Sequence, residues 1–349
     1  MPFTVTELAN ITNATLDAYL DRGKVHKQNV QNKPMLAAFD AAAGTFAGGK
    51  GNISMSVKSG QGGGSLAGYT HDDQVGYYNP ATTKRINHAW KEHHIGMGLT
   101  HTELKNDGIT VTEDAGGQST SEKDGREEQA LANLLDEKID DMDEDYSKSL
   151  DLLIHGDGTA DAKALAGIQS LILTSPSTGS TGGLSRSANA WWRNRALTGI
   201  NSASTGGGVL INALQKEFRQ LARYASGGTN WRFFAGSDFI DAIEKELRAN
   251  GNYTQDGFMR EGAVDGGMAD VKFKGKKFEY DPTLDDLSLA KYCYVIDMKR
   301  VKLWYMAGEK KKRTNPARPY DRYVMYRGLT TTAVMAARQL NTSAVYTIA

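Results

Sequence analysis

Apolar Ile53, Met55 and Val57 alternate with Asn52, Ser54, Ser56 and Lys58. Side chains switch faces at every residue of a strand, so this period of two predicts a β-strand covered on one side. A turn-rich stretch follows from Gly60 to Lys84, containing GQGGGS and YYNPATT, and Arg85–Leu104 reads as a long return strand. Together they predict an extended hairpin with few apolar residues to anchor it. A lone two-stranded ribbon is marginal in water, and its unpaired edges invite pairing. A ribbon lying on another subunit is one reading, and a locally folded or disordered surface loop is the other.

The period becomes helical over 121–155. Leu131, Leu134, Leu135, Ile139, Met142, Tyr146, Leu150 and Leu153 make one apolar stripe. Ser121 is a fair N-cap, and Glu122, Asp124, Glu127 and Glu128 suit the positive end of the dipole. Gly156 and Gly158 end the run, giving a helix roughly 50 Å long. Its outer face carries Asp136, Glu137, Asp140, Asp141, Asp143, Glu144 and Asp145. Upstream, Leu8, Ile11, Leu16 and Leu20 predict a short helix within Val5–Leu20, and Pro34 opens a second through Ala43. Downstream, Gly207–Tyr224 reads as a helix, Trp231–Ala235 as a buried strand, and Ser237 or Asp238 as the cap of another helix. Val271–Asp281 is a strand pair turning at Gly275, and Tyr292–Ile296, Val301–Met306, Tyr323–Tyr326 and Thr330–Ala336 are strands. The fold class is therefore α+β.

A chain of 349 residues suits two lobes, or one lobe with long excursions. Lys plus Arg and Asp plus Glu both number 41, which argues against a general nucleic-acid binder and favours association. The balance hides a polarity, because the acidic helix is answered by Lys299, Arg300, Lys302, Lys310, Lys311, Lys312, Arg313, Arg318, Arg322 and Arg327 near the C-terminus. Asp140, Asp141 and Glu144 are expected to pair with Lys310, Lys311, Lys312, Arg313 or Arg318 of a neighbouring copy, the alternative being two solvated faces. Cys293 is the only cysteine, so no intrachain disulfide forms and a reducing compartment is expected. No run approaches the ~20 apolar residues of a membrane span, and the N-terminus lacks a secretory pattern.

Gly167–Ala196 stands apart. GIQSLI leads into a Ser/Thr/Gly-rich loop and then GGLSRSANAWWRNRA, where Trp191 and Trp192 sit among Arg186, Arg193 and Arg195. Such aromatic and guanidinium content reads as an interface or packing surface, with Trp191 and Trp192 as packing anchors rather than platforms for nucleobases. With GIQSLI and GGLSRSANAWWRN, the run VKFKGKKFEYDP at Val271–Pro282 and YCYVIDMKRVKLW at Tyr292–Trp304, the chain resembles the major capsid proteins of tailed bacteriophages, the Hong Kong ninety-seven-type shell fold.

That resemblance covers essentially the whole chain. It implies an N-terminal arm at 1–43, an extended hairpin (the E-loop) at 44–108, and an A-domain at 159–290. It also implies a P-domain from 109–158 and 291–349, with a spine helix at about 121–155. The last of the three motifs would be the strand pair by which the chain returns to the P-domain. The implied function is an icosahedral shell of hexamers and pentamers around double-stranded DNA, in a virion assembled in the host cytoplasm. Implied partners are a separate scaffolding protein, portal and decoration proteins, and nonspecific contact with packaged DNA. No membrane, cofactor or enzymatic activity is expected. Lys58, Tyr77, Tyr78, Lys84 and Trp90 would contact neighbours along the hairpin. One branch of the family crosslinks a lysine to an asparagine. Lys58 or Lys84 with Asn315 or Asn341 would be the candidates here, ordinary noncovalent contact being the preferred reading. The alternatives are an encapsulin-type nanocompartment shell and, from another class, a cytosolic α/β or metal enzyme.

Chemistry-bearing groups are sparse. His88, Trp90, Glu92 and His94 would share one strand face, and His88, Glu92 and His94 are weak candidates for a divalent metal, against polar contacts with a neighbour. GQGGGS lacks the Gly-Lys-Ser/Thr ending of a phosphate loop. His155 with Asp157 and Ser175 or Ser177 makes no nucleophile elbow.

Overall fold

The computed structural model describes residues 30–48, 51–59, 66–77, 79, 82–106, 125–202, 209–225, 227–249, 272–314 and 324–349. The helix expected at 5–20, the Ser121 cap, the Gly60–Gly64 stretch, Tyr78, Asn315 and Arg318 lie outside these residues.

Pro34 sits at the first position of helix α1, Pro34–Ala41, where its missing N–H costs nothing. The chain then gives β1, Gly44–Phe46, and β2, Asn52–Lys58. β3 is Thr83–Ala89, β4 is Lys91–Thr100, and α2 is His101–Asn106. The single return strand expected over 85–104 is thus two strands and a helical turn. β2 and β3 pair antiparallel from Asn52 opposite Ala89 to Lys58 opposite Thr83. At Trp90 the chain leaves the ribbon, and β4 pairs over ten positions with β14, Val324–Ala337. β14 is long enough to offer a whole edge of unpaired N–H and C=O groups, and β4 satisfies them.

α3 spans Gly125–His155, 31 residues, and buries Met142, Tyr146, Leu150 and Ile154 at helical spacing. After it come α4, Ile168–Leu171, and the short hairpin β5, Ser180–Thr181, with β6, Leu184–Ser185. β7 is Arg195–Ile200, α5 Val209–Ala222, β8 Trp231–Ala235 and α6 Ser237–Ala249. β9, Lys272–Phe273, and β10, Lys276–Tyr280, turn through Lys274 and Gly275, both at positive φ, the geometry of a tight hairpin. α7, Pro282–Asp286, precedes β11, Tyr292–Asp297, β12, Val301–Met306, and β13, Lys312–Thr314. β15 is Ala344–Ile348.

Two principal sheets result. In one, β14 is flanked by β4 on one side and by β12 and β13 on the other, with β1 parallel to β12. The other has six strands in the order β7-β15-β11-β8-β10-β9. The strands expected to pair with each other at 292–296 and 301–306 stand in different sheets. The reason lies in burial. All of Cys293–Asp297 is buried, while β12 alternates buried and half-buried positions. Cys293 and Val295 face a core with Leu210, Leu214, Phe239 and Phe278. Tyr294 and Ile296 face a second core with Phe39, Leu150, Ile154 and Leu303. β11 is a central strand covered on both sides, and such strands read as continuous apolar runs.

Candidate functional site

The ribbon is seated on its own chain at the base and bare at the tip. Ile53, Val57 and Ile86 are buried, and Val57 and Ile86 join the core that holds Trp192. The Asn87 N–H donates to the Gly182 carbonyl at 3.0 Å, and Lys84 Nζ donates to Asn189 Oδ1 at 2.7 Å. Gly182 adopts φ +61°, and a Cβ there would lie 3.0 Å from the Cβ of Ile86. Only glycine lets the two backbones approach that closely without strain. Lys84, expected to reach a neighbour, therefore has an intrachain partner. By contrast Leu66 and Tyr77 are essentially fully exposed, at 105% and 97%, and Tyr69 and Val75 are also exposed. Lys58 is exposed.

The seat is the tryptophan–arginine segment. Arg186, which sequence reasoning placed on a surface, is fully buried. Its guanidinium donates from Nε to Thr181 Oγ1 at 2.8 Å, from one terminal nitrogen to Asn194 Oδ1 at 2.7 Å, and from the other to the Leu171 carbonyl at 2.5 Å. Burial pushes its pKa down to about 10, so the group stays cationic at neutral pH, held by neutral acceptors. Trp192 is buried and donates from Nε1 to the Thr181 carbonyl at 3.2 Å, while half-buried Trp191 stands 5.8 Å from it, ring to ring. The aromatic-arginine run thus folds inward and carries the ribbon.

Part of the expected charge array is paired inside one chain. Lys311 Nζ lies 2.7 Å from Asp143, Lys310 3.1 Å from Asp40, Lys312 2.6 Å from Glu309, and Lys33 2.8 Å from Glu144. Lys310 and Lys311 also sit over the rings of Tyr305 and Tyr146. The fold brings α3 and α1 against the β12–β13 turn, and short, partly exposed ion pairs form where opposite charges meet there. Asp140, Asp141 and Arg313 are exposed, and Asp140 and Arg313 line the same cleft of about 520 Å³ between α3 and β13–β14.

The metal candidates are not brought together. His88 is on β3, in the ribbon, whereas Glu92 and His94 are exposed on β4, in the large sheet. Burial lowers the pKa of His88 to about 4. Trp90, at the break between the strands, is half-buried with its ring 6.3 Å from that of Phe46.

Sequence reasoning passed over a buried group. His155, Asp151 and Asp281 converge at 0–2% exposure where the end of α3 meets the start of α7. The signals were the i, i+4 spacing of Asp151 and His155 and the Asp-Pro step at 281–282. His155 Nδ1 lies 2.8 Å from the Asp151 carbonyl oxygen, and Nε2 lies 2.9 Å from Asp281 Oδ2. Asp281 also caps α7, accepting from the Thr283 N–H at 3.2 Å. Thr283 Oγ1 donates to Asp151 Oδ2 at 2.6 Å. Both ring nitrogens are already committed to hydrogen bonds.

No protein-family model matches this chain, and no curated protein does. Among solved structures, it superposes on a chain of the cyanophage A-1(L) capsid asymmetric unit with a TM-score of 0.64 at 15% identity, over 93% of this chain and 94% of that one. The chain has the fold of a phage capsid subunit. Two further neighbours agree. A chain of the Myoviridae phage XM1 capsid gives a TM-score of 0.57 at 10% identity, covering 93% of this chain and 95% of that one. A chain of the native GTA particle capsid gives 0.55 at 12% identity, covering 94% of each. The fold is α+β, and α3 is the longest helix among the described residues. Among the described residues no helix is long and apolar enough to cross a membrane.

Proposed function

We propose that this chain is a major capsid protein that self-assembles into an icosahedral shell of hexamers and pentamers enclosing double-stranded DNA, as a component of a virion. The observation that carries the reading is the ribbon tip. Leu66, Tyr69, Val75 and Tyr77 stand exposed at the end of a hairpin whose base is fixed. Exposed apolar groups at the end of an anchored lever suit burial against another molecule, and in capsid shells the available surface is another copy of the same chain. A heterologous contact of this kind closes into rings when repeated by rotation, and many weak contacts made at once sum to a stable assembly.

On this reading residues 1–43 serve as the arm, 44–108 as the E-loop, 109–158 and 291–349 as the P-domain, and 159–290 as the A-domain. β11 and β15 would then stitch the two domains, because both belong to the six-stranded sheet. Scaffolding, portal and decoration proteins would be separate partners. With zero net charge, contact with packaged DNA would be local and nonspecific. Electron microscopy of the purified or co-expressed chain tests the proposal. Closed particles are expected, and a chain that stays monomeric under all assembly conditions overturns it.

A further inference from the structure

The buried histidine at the end of α3 does something that neither packing nor assembly requires. A carbonyl oxygen can only accept, so His155 Nδ1, 2.8 Å from the Asp151 carbonyl, must carry a proton. On the other side, Nε2 meets Asp281 Oδ2 at 2.9 Å. That contact needs a proton between the two atoms, and a charge-assisted imidazolium–carboxylate pair supplies it from Nε2. Asp281 Oδ1 is meanwhile held by the Thr283 N–H. A second carboxylate faces the ring from its own helix. Asp151 Oδ2 lies 3.7 Å from Nδ1, and Asp151 Oδ1 is buried without a hydrogen-bond partner. Lys33, at the start of α1, acts on Asp151 from farther away while paired with Glu144. The charged groups that bear on His155 are thus Asp151 on α3 and Asp281 at the start of α7.

We propose that these residues form a proton-held latch. One proton shared between His155 Nε2 and Asp281 Oδ2 fastens the C-terminal end of α3 to the β10–α7 turn, and its loss at alkaline pH opens the fastening. Without that proton a lone pair faces a carboxylate oxygen at 0% exposure, beside a second buried carboxylate and with no cation between them.

The direction follows from the surroundings. Burial alone would push the His155 pKa down, but the hydrogen bond and charge of Asp281, then the charge of Asp151, outweigh it and hold the pKa above its ordinary value. A group whose folded pKa is raised contributes stability that is complete below its unfolded value, about 6.5 for histidine, and lost as pH rises through the folded value. Burial likewise raises the Asp151 carboxyl against the pull of His155 and Thr283. Its contribution has the same sign, complete below the ordinary aspartate value and lost as pH rises through the folded one.

The test uses the full, unassembled chain with isotopically labelled histidine, followed by NMR from pH 5 to 10, with His155→Gln assigning the resonance. His155 should keep both ring protons past the ordinary imidazole midpoint, and the melting temperature should fall as pH rises through its titration. Asp281→Asn keeps an acceptor for the Thr283 N–H but removes the charge. It should lower the His155 midpoint by about one unit or more and flatten that part of the melting profile. A His155 ring that is singly protonated at pH 6 in the wild-type chain overturns the latch, as does an unchanged melting slope in Asp281→Asn. The wild-type titration decides the matter even where a variant fails to fold. Neither readout depends on shell formation, so this inference and the capsid reading stand or fall separately.

Discussion

Arg186 is costly to replace, because its guanidinium is buried and satisfies Thr181, Asn194 and the Leu171 carbonyl at once. Replacing it with methionine fills much of the volume but takes the arginine donor from Thr181 Oγ1 and the Leu171 carbonyl, each worth about 1–3 kcal/mol when left buried, and leaves Asn194 Oδ1 only the Leu173 N–H. Arg186→Met should therefore cost about 3 kcal/mol or more in urea denaturation. Arg186→Lys should not rescue it, because a lysine offers one nitrogen where a planar fork reaches three acceptors. A variant with wild-type stability would mean that the loop repacks around the gap. The sequence could not show this inward turn. Arginine is usually exposed, and the acceptors that tame Arg186 come from α4, β5 and Asn194, which are neighbours only after folding.

At the scale of elements, the ribbon separates into a base that serves the subunit and a tip that serves assembly. Gly182→Ala places a side chain at positive φ and against Ile86, so it should lift the ribbon from its seat and cost about 1–3 kcal/mol. Limited proteolysis within 51–89 should speed up as a result, and unchanged cleavage would show that the ribbon holds without this contact. The double substitution Leu66→Ser, Tyr77→Ser should leave the melting temperature unchanged, because both residues are exposed already. It should nevertheless reduce particle yield in assembly assays. The two outcomes together separate folding from association. Ribbon, long helix and the helices at α5 and α6 were legible because each obeys one local period. The break at Trp90 and the split of β11 from β12 were not. Partner choice among strands depends on long-range edges and on which faces are buried, and local alternation carries neither.

For the whole molecule, charge polarity is partly internal. Acidic and basic segments distant in sequence looked like complementary surfaces of two copies. The fold brings Lys311 to Asp143, Lys310 to Asp40 and Lys33 to Glu144, so two pairs tie α3 and α1 to the β12–β13 turn and the third ties α1 to α3 within one subunit. Each is partly exposed and worth about 0–1 kcal/mol. Reversing Lys310, Lys311 and Lys312 together to glutamate should lower the melting temperature of the unassembled subunit by a few degrees, at no more than about 2 °C per kcal/mol for a chain larger than 250 residues. Raising the salt should narrow the gap to wild type, because exposed pairs are screened within about 10 Å at 0.1 M. Asp140→Lys is the contrasting change, because Asp140 is exposed and, among the described residues, makes no ion pair with Arg313 or Arg327, which line the same cleft. It should barely move the melting temperature, so any effect it has on assembly comes from a neighbour. A triple variant that melts with wild type yet fails to form particles would reverse this assignment and return the basic segment to the contact between copies.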